Sequence, residues 1–480
     1  MDTQRVVVIG GGISGLAVAH RLCELARAHQ RPLAVTLLEA REQFGGAIHT
    51  ETRDGFVLEG GPDAFMTERL WALELCRRLG IDDELIETQP ACRRSFIVRR
   101  GRLVPVPEGW YLIAPSNLRT LVRTPLLSWP GKLRMACEPL VPARRDSHDE
   151  SVGSFIRRRL GQEALERIGQ PMLAGIYTAD PERLSLQATM PRFQEMERRH
   201  GSILKGLRAT ARAPQGAVRE ASGPRYSLFA TFRHGMRTLV DRLVQHMQQM
   251  PEVSLRYRAP VARIAHDGSW TVTLQDGSSL QAEHLCLALP AHQAASLLRP
   301  CAPDLSAALG SIPYESVATV NLGFRATDIP RTLQGFGMVV PALERRRIVG
   351  CTFSSVKFSG RAPETCVLLR AFVGGAAHRQ LVERDDDALG EAVRGELRDL
   401  LGIVAVPLFT SIRRHPQAMP QYEVGHLDRI TAIDAVLARY PGLWLTGNGY
   451  RGMGLPECIH QAEATAARII ASPTRGYFIT

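Results

Sequence analysis

Apolar positions follow a strand, helix, strand order over residues 1–40. The run VVVI at 6–9 is continuous and mostly β-branched, which is typical of a strand buried on both faces. From Leu16 to Ala26 apolar side chains recur at helical spacing, and the run LAVTLLEA at 33–40 predicts a second strand. The pattern therefore predicts a β-α-β unit that belongs to a parallel sheet.

The rest of the chain divides into stretches of different pattern. Helical periodicity dominates 111–207, and the composition of 208–225 is that of a connector. A helix and strands joined by Asp-Gly turns continue to residue 290. Alternating strands and one helix fill 291–425, and the chain then returns to a strand, a glycine-rich turn and a helix. Two glycine-rich strand-to-helix turns so far apart predict one discontinuous nucleotide-binding domain.

The turn between the first strand and helix carries the GxGxxG spacing. Gly10 permits the tight turn, Gly12 lets the backbone approach a pyrophosphate, and Gly15 lets helix and strand pack closely. The helix N-terminus offers free N–H groups to phosphate oxygens. Glu39, at the end of the second strand, can accept hydrogen bonds from a ribose 2′-hydroxyl. Together these features predict a dinucleotide site.

Composition narrows the remaining function classes. The 480 residues suffice for two or three domains, and the net charge of +11 is carried by Arg, with only three Lys. No basic and aromatic pattern of a nucleic-acid module is present, so we expect no nucleic-acid partner. The nine Cys form no CxxC pair, which predicts reduced thiols, no metal site and a cytoplasmic protein. No apolar run is long enough to span a bilayer.

The helical stretch combines apolar and basic residues in a way that suits a membrane surface. The alternative is that its aromatic residues belong to the protein core. The residues concerned are Trp110, Tyr111, Leu112, Ile113, Trp129 and Leu133 beside Arg119, Arg123, Lys132 and Arg134.

Three separated motifs resemble flavoprotein oxidases of the monoamine oxidase superfamily. They are the Gly45-Gly46 doublet, the block FVLEGGPDAF at 56–65 and the block LWLTGNGYRG at 443–452. The resemblance implies FAD as the cofactor, since simple NAD dehydrogenases lack the C-terminal block. The chain departs from the superfamily at one point: Ala47 stands where an Arg usually follows the doublet. An arginine contact there must be absent or supplied from elsewhere.

Longer blocks are similar to the protoporphyrinogen oxidase family. They include GQPMLAGIYTADPERL at 169–184, GFGMVVPALERRRIVG at 335–350, and PQYEVGH at 420–426. The resemblance implies an oxygen-dependent oxidoreductase acting on CH–CH donors. It would convert protoporphyrinogen IX to protoporphyrin IX in heme biosynthesis, a six-electron oxidation in three flavin cycles that releases H2O2. The closest alternative within the family is oxidation of coproporphyrinogen III to coproporphyrin III.

The resemblance also implies the fold class and domains. We expect an α/β plus α+β protein with a discontinuous Rossmann-like FAD-binding domain, a substrate domain with a mixed β-sheet, and a mostly helical membrane-associating insertion. The FAD-binding domain would comprise 1–85, 208–290 and 426–480, the substrate domain 86–110 and 291–425, and the insertion 111–207.

Site residues carried over from the family fall into two sets. No catalytic side chain is expected, because hydride passes to the flavin. Substrate contacts are implied at Arg94, Gly175, Leu322 and Phe372. Cofactor contacts are implied at Gly10, Gly12, Gly15, Glu39, Gly45, Gly46, Gly60, Gly61, Pro62, Val261, Gly447, Met453, Gly454 and Leu455.

The expected partners are the porphyrinogen and O2. The resemblance further suggests contact with the inner face of the cytoplasmic membrane, handover of product to a chelatase, and a homodimer. Three other functions occur on the same fold. A flavin amine oxidase usually has a Lys on the strand that here reads VATVNLGF, and a carotenoid-type desaturase lacks the middle blocks. A non-redox protein that binds a lipidated partner needs no flavin-closing turn.

Overall fold

The computed structural model of the chain describes residues 3–107, 110–115, 118–146, 148–212 and 228–472. Most of the connector expected at 208–225 lies outside these ranges. Within them, the helices are all too short or too polar to cross a membrane, and no group of His, Cys, Asp and Glu side chains could hold a metal ion.

A five-stranded parallel sheet contains the first strand of the chain. Its strands, in spatial order, are β12 (Val253–Arg256), β2 (Leu33–Leu38), β1 (Gln4–Ile9), β16 (His284–Leu287) and β22 (Leu443–Leu445). One face packs on helices α1 (Ile13–Ala28), α2 (Trp71–Arg78), α11 (Arg237–Gln248) and α18 (Leu455–Ala471). The β-α-β unit and the final strand-turn-helix predicted from the sequence are confirmed.

The other face of this sheet packs on a small antiparallel sheet and three helices. They are β13 (Val261–Asp267), β14 (Ser269–Leu274), β15 (Ser279–Ala282), α12 (Ala291–Leu298), α13 (Pro303–Gly310) and α17 (His426–Leu437). Gly268 and Gly277 have positive φ at the two hairpin turns predicted there. Two short sheets complete this part, formed by β3 (Thr50–Arg53) with β4 (Phe56–Glu59), and by β5 (Phe65–Met66), β11 (Phe229–Phe232) and β6 (Leu85–Glu87).

A seven-stranded mixed sheet forms the second large layer. Its strands, in spatial order, are β21 (Phe409–Pro420), β17 (Tyr314–Arg325), β20 (Cys366–Gly374), β19 (Gly350–Thr352), β18 (Gly337–Val339), β7 (Ser95–Arg99) and β8 (Arg102–Pro105). Only β18 and β7 pair in parallel. Helix α16 (Asp386–Leu401) covers its apolar face, and α14 (Ser354–Lys357) and α15 (Arg379–Val382) lie at its connections. The mixed α/β class expected from the sequence is confirmed.

Helices dominate the chain between these sheets, as the periodicity predicts. They are α3 (Leu118–Arg123), α4 (Trp129–Ala136), α5 (Val152–Leu160), α6 (Gln162–Ala164), α7 (Gln170–Tyr177), α8 (Leu186–Thr189), α9 (Pro191–His200) and α10 (Ile203–Arg212). A two-residue hairpin of β9 (Trp110–Tyr111) and β10 (Ala114–Pro115) precedes them. Their own apolar core includes Ile113, Phe155 and Phe193. Ile113 is therefore a core residue and does not belong to an exposed membrane-facing surface.

A buried ion pair ties these helices together. The side chains of Arg159 and Glu138 are both fully buried and form a salt bridge. Glu138 also accepts hydrogen bonds from the backbone N–H groups of Ile203, at 2.9 Å, and Leu204, at 3.2 Å. Arg159 donates to the carbonyl of Gly201 at 2.9 Å. Since every charged group here is paired away from water, loss of one partner leaves the other uncompensated.

We predict that Arg159→Met destabilises the protein by about 3–5 kcal/mol, because it leaves the Glu138 carboxylate unpaired in the core. Urea unfolding followed by tryptophan fluorescence measures the loss. Arg157→Met is the matched control two residues away, since Arg157 pairs with Glu182 at the surface and such pairs contribute about 0–1 kcal/mol. Equal losses in both variants would contradict this interpretation of the pair.

Candidate functional site

The glycines of the first turn leave an open cradle above α1. Gly10 has φ +106°, and a Cβ there would collide with the carbonyl of Ala288. A Cβ at Gly15 would collide with the carbonyl of Gly10. At Gly12 the only atom within 4 Å of such a Cβ is Gly46 Cα, at 3.8 Å. Gly12 therefore borders free space at the N-terminus of α1, where a phosphate group fits.

Glu39 lies beside this cradle at the end of β2. Its carboxylate accepts hydrogen bonds from the backbone N–H groups of Gly11, at 2.8 Å, and Arg41, at 2.9 Å. Each oxygen keeps a free lone pair for a ribose hydroxyl. The backbone N–H of Ala259 donates to the Glu39 carbonyl at 2.9 Å. This bond brings the start of β13, with the predicted contact Val261, next to the acid.

The Gly45-Gly46 doublet packs directly on the first turn. Gly45 donates its N–H to the carbonyl of Gly11 at 2.8 Å. Gly46 has φ +61°, and a Cβ there would lie 2.9 Å from Gly12 Cα. A side chain at Gly46 would therefore separate the two turns, and one at Gly45 would meet the carbonyl of Ile48 at 2.9 Å. The doublet thus closes one wall of the cradle with backbone alone.

The segment Gly60–Asp63 connects the cradle to the seven-stranded sheet. The carbonyl of Gly60 accepts a hydrogen bond from Thr319 Oγ1 at 2.9 Å and lies 2.7 Å from His415 Nε2. Arg370 donates to the carbonyl of Gly61. Pro62, between Gly61 and Asp63, fixes the turn of this segment. Its position therefore depends on side chains of three strands, β17, β20 and β21.

Asp63 anchors the end of this segment. Its carboxylate lies 3.0 Å from Lys357 Nζ and 3.8 Å from Arg370 Nη1. Burial alone would raise the pKa of Asp63, but the charges of Lys357 and Arg370 lower it to about 2. The carboxylate is consequently ionised at every physiological pH and holds the segment against the sheet.

The C-terminal turn is held by the PQYEVGH block. The hydroxyl of Tyr422 donates to the carbonyl of Asn448 at 2.7 Å and accepts from the N–H of Gly452 at 2.9 Å. His426 stacks on the Tyr422 ring at 3.8 Å, and its Nε2 lies 2.8 Å from the carbonyl of Tyr450. Burial lowers the pKa of His426 to about 4, so the ring is neutral and can donate to this carbonyl. The block therefore shapes the backbone of the turn.

The predicted cofactor residues of that turn lie around the start of α18. Gly447 has φ +134°, and Gly454 is the residue immediately before the helix. Leu455 packs with the core of the parallel sheet, and Met453 packs against the core of the helical segment. The turn thus brings the two cores together beside the second helix N-terminus.

One face of the seven-stranded sheet turns toward the Gly60 segment. Cross-strand register places Ile97, Val339, Gly350, Phe372, Thr319 and Arg413 in one row on this face. Thr319 contacts Gly60, as described above. A Cβ at Gly175 of α7 would lie 3.2 Å from Val339 Cγ1. Gly175 and Phe372, two of the predicted substrate contacts, therefore border the same face.

The other two predicted substrate contacts lie elsewhere. Leu322 is fully buried in the apolar cluster beneath α16, with its neighbour Leu369 on β20. Since alternate residues of a strand point to opposite faces, it faces away from Thr319 and Phe372. The Arg94 side chain is exposed ahead of β7, and its carbonyl accepts a hydrogen bond from the N–H of Phe336. Neither observation adds support to their predicted contact with the substrate.

Arg99 is a further cation near this face, and no sequence motif indicated it. It shares its face of β7 with Ile97 and lines a cavity of about 110 Å³ together with Arg100 and Arg167. Within the described residues its side chain has neither a hydrogen bond nor an ion pair. Burial and the charges of Arg167 and Arg100 lower the pKa of Arg99. The cavity is also lined by Glu344, whose carboxylate accepts hydrogen bonds from the backbone N–H groups of Arg100 and Gly101. Arg99 can therefore bind an anionic group beside this face of the sheet.

Comparison with known proteins assigns the family. The profile of the flavin-containing amine oxidoreductases matches residues 13–470. Coproporphyrinogen III oxidase of Bacillus subtilis is 34% identical over 466 residues, covering 97% of each chain. Protoporphyrinogen oxidase 1, chloroplastic, of Arabidopsis thaliana is 31% identical and covers 97% of this chain and 88% of its own.

Solved structures agree with this assignment. A crystal structure from Exiguobacterium sp. 255-15, provisionally named a protoporphyrinogen oxidase, superposes with a TM-score of 0.85 at 32% identity. It covers 98% of this chain and 99% of its own. The open space at Gly12, the acid at Glu39 and the two helix N-termini fit the FAD that this family carries. The chain therefore belongs to the flavin-containing amine oxidoreductases, among the porphyrinogen oxidases, and is an FAD-dependent oxidoreductase.

Proposed function

We propose that the chain oxidises a porphyrinogen to the corresponding porphyrin with dioxygen as the final electron acceptor. The observation that carries this proposal is the position of the Gly60 segment, which joins the dinucleotide cradle to the sheet face bearing Phe372 and Val339. A flat apolar macrocycle fits such a face, and Gly175 allows it to approach α7 closely.

Oxidation of the macrocycle removes six electrons and six protons. FAD, when bound, would accept two electrons as one hydride in each of three cycles, while a further proton leaves the ring, and three O2 would be reduced to three H2O2. The chain itself needs no nucleophile for this chemistry. Its residues bind and orient the ring and keep the reacting carbon near the Gly60 segment. Strand β17 contains no Lys, although an amine oxidase usually has one on this strand, which argues against amine oxidation.

Coproporphyrinogen III is our first candidate substrate. The relatives from Bacillus subtilis, Propionibacterium freudenreichii and Staphylococcus aureus that carry this name are 32–35% identical to the chain. Arg99 makes no ion pair within the described residues and suits a substrate with four carboxylates. Protoporphyrinogen IX, the substrate expected from the sequence, is the second candidate. It is supported by the similarity to protoporphyrinogen oxidase 1 of Arabidopsis thaliana and by the exposed apolar residues of α3 and α4.

The purified yellow protein should oxidise coproporphyrinogen III faster than protoporphyrinogen IX in air, with three H2O2 released per porphyrin. Porphyrin fluorescence and a peroxide assay measure both quantities. Preference for protoporphyrinogen IX would select the second candidate, and activity on neither would contradict the proposed function.

Replacing Arg99 tests the substrate assignment on the same assay. Arg99→Gln should raise KM for coproporphyrinogen III about tenfold or more, as expected from one lost charge-assisted contact of roughly 1.5–3 kcal/mol. Its effect on KM for protoporphyrinogen IX, with two carboxylates, should be smaller. Arg94→Gln is the comparison that tests the residue chosen from the sequence. An effect of Arg94→Gln alone would assign the carboxylate contact to Arg94 and contradict the role of Arg99.

We also propose that α3 and α4 touch an anionic membrane surface. Trp129, Leu133 and Val122 are 69%, 67% and 52% exposed. Lys132 Nζ lies 4.5 Å from the Trp129 ring centre and donates to the Val122 carbonyl. An apolar patch with a basic rim is the composition of an interfacial helix. The homodimer and the handover to a chelatase stay predictions.

Trp129→Ser combined with Leu133→Ser should reduce sedimentation of the protein with phosphatidylglycerol vesicles several-fold, because it removes the largest apolar side chains of the patch. Val404→Ser is the matched control, since Val404 is 81% exposed in a loop after α16. Equal sedimentation of all three proteins would exclude this patch as a membrane contact.

A further inference from the structure

The cradle lacks the arginine that usually follows the glycine doublet. Ala47 occupies that position. Its carbonyl packs so closely on Gly61 that residue 61 can carry no side chain. A diphosphate carries negative charge that the glycine backbone and one helix N-terminus do not fully balance. A cation from another part of the chain is therefore the natural replacement.

Arg413 reaches the cradle from the second sheet. It lies opposite Thr319 in the pairing of β21 with β17, on the face that meets the Gly60 segment. A Cβ at Gly60 would lie 2.7 Å from Arg413 Cδ and 3.0 Å from His49 Cδ2. The side chain of Arg413 thus passes over Gly60 in the space that this glycine leaves free. Only glycine at position 60 permits this path.

Arg413 has no partner in the part of the chain that the structure describes, where it makes no hydrogen bond, ion pair or ring contact. Glu51, on the neighbouring strand β3, is engaged elsewhere: it accepts from Ser411 Oγ at 3.3 Å and lies 3.7 Å from Arg53. The other groups around Arg413 are basic. Burial and the charge of Arg41 lower the pKa of Arg413. Burial lowers the pKa of His49 and His415, and the charge of Arg413 lowers both further.

The neighbouring Arg414 has a structural role on the same strand. Arg414 points to the opposite face, where its Nε donates to the carbonyl of Val382 at 2.9 Å. It also pairs with Asp386 and donates to the carbonyl of Arg384. All three guanidinium nitrogens of Arg414 are bonded, whereas those of Arg413 are not. The contrast indicates that Arg413 is kept for a ligand that the chain does not provide.

The position of Arg41 indicates where an anionic ligand of Arg413 would bind. Arg41 Nη1 donates to the carbonyl of Gly46 at 3.2 Å, beside the doublet that packs on Gly12. Arg41 and Arg413 approach from two different sheets, and an anion between them would relieve their repulsion. We propose that Arg413 binds the diphosphate of FAD, together with Arg41, and replaces the arginine missing at position 47. A planar guanidinium can donate two parallel hydrogen bonds to phosphate oxygens.

The test compares FAD affinity in three variants. The dissociation constant is measured from the fluorescence of FAD released on dilution of the yellow protein, at several NaCl concentrations. Arg413→Gln should raise the constant about tenfold to a hundredfold, as a lost charge-assisted contact implies, and should flatten its dependence on salt. Arg413→Lys should fall between the wild type and Arg413→Gln, because it keeps the charge without the planar fork.

Arg414→Gln is the matched control, and its FAD dissociation constant should stay within twofold of the wild type. An unchanged constant in Arg413→Gln would overturn the proposal. If KM for the porphyrinogen rose while the FAD dissociation constant stayed unchanged, Arg413 would be assigned to a substrate carboxylate instead. An equal loss of affinity in Arg413→Lys and Arg413→Gln, with reduced thermal stability in both, would show a packing role and also overturn it.

Discussion

The backbone carbonyl of Gly60 is the point on which the rest of the site depends. It accepts hydrogen bonds from Thr319 and His415, at 2.9 and 2.7 Å, and so fixes the dinucleotide cradle to the seven-stranded sheet. Asp63, three residues on, is held by Lys357 and Arg370 in a largely buried cluster. Leaving either group unpaired would cost the full desolvation of a buried polar atom. The two sheets therefore meet in one geometry, and the cleft takes its shape from that junction.

This junction explains why the site draws on such distant parts of the chain. The cradle comes from the first sixty residues, the apolar row from β7, β18 and β20, and the closing turn from the residues before α18. The ring stack of Tyr422 and His426 holds that turn through its carbonyl and N–H groups. The block that carried the resemblance to one family is thus a framework for the backbone, and its histidine is too buried to serve as a base.

The backbone of the cradle could be predicted from the sequence, whereas the cleft could not. Glycine spacing after a buried strand allows few conformations, so the first turn, the doublet and the final strand-turn-helix follow from residue types. Alternation along β17 and β20 shows that two faces exist, but not which face meets the cofactor side. Leu322 and Phe372 illustrate this, because both fit an apolar strand pattern and they lie on opposite faces.

The arginines show the same limit more sharply. Arg413 and Arg414 are adjacent and chemically identical. Yet Arg414 is fully hydrogen-bonded on one face of the sheet, whereas Arg413 passes over Gly60 with no partner among the described residues. Arg94 precedes β7 and Arg99 ends it, and only the pairing of β7 with β18 shows that the face of Ile97 and Arg99 is the one that carries Val339. Strand register, which arises from contacts far apart in sequence, decides these roles.

Anaerobic mixing of the yellow protein with a porphyrinogen tests whether the macrocycle reduces the flavin. With dioxygen absent, we expect coproporphyrinogen III or protoporphyrinogen IX to bleach the flavin absorption band within the turnover time, and a primary amine at similar concentration to leave it unchanged. Restored colour on admission of air, with appearance of peroxide, would complete the expected result. A flavin that stays oxidised with both porphyrinogens would contradict the account.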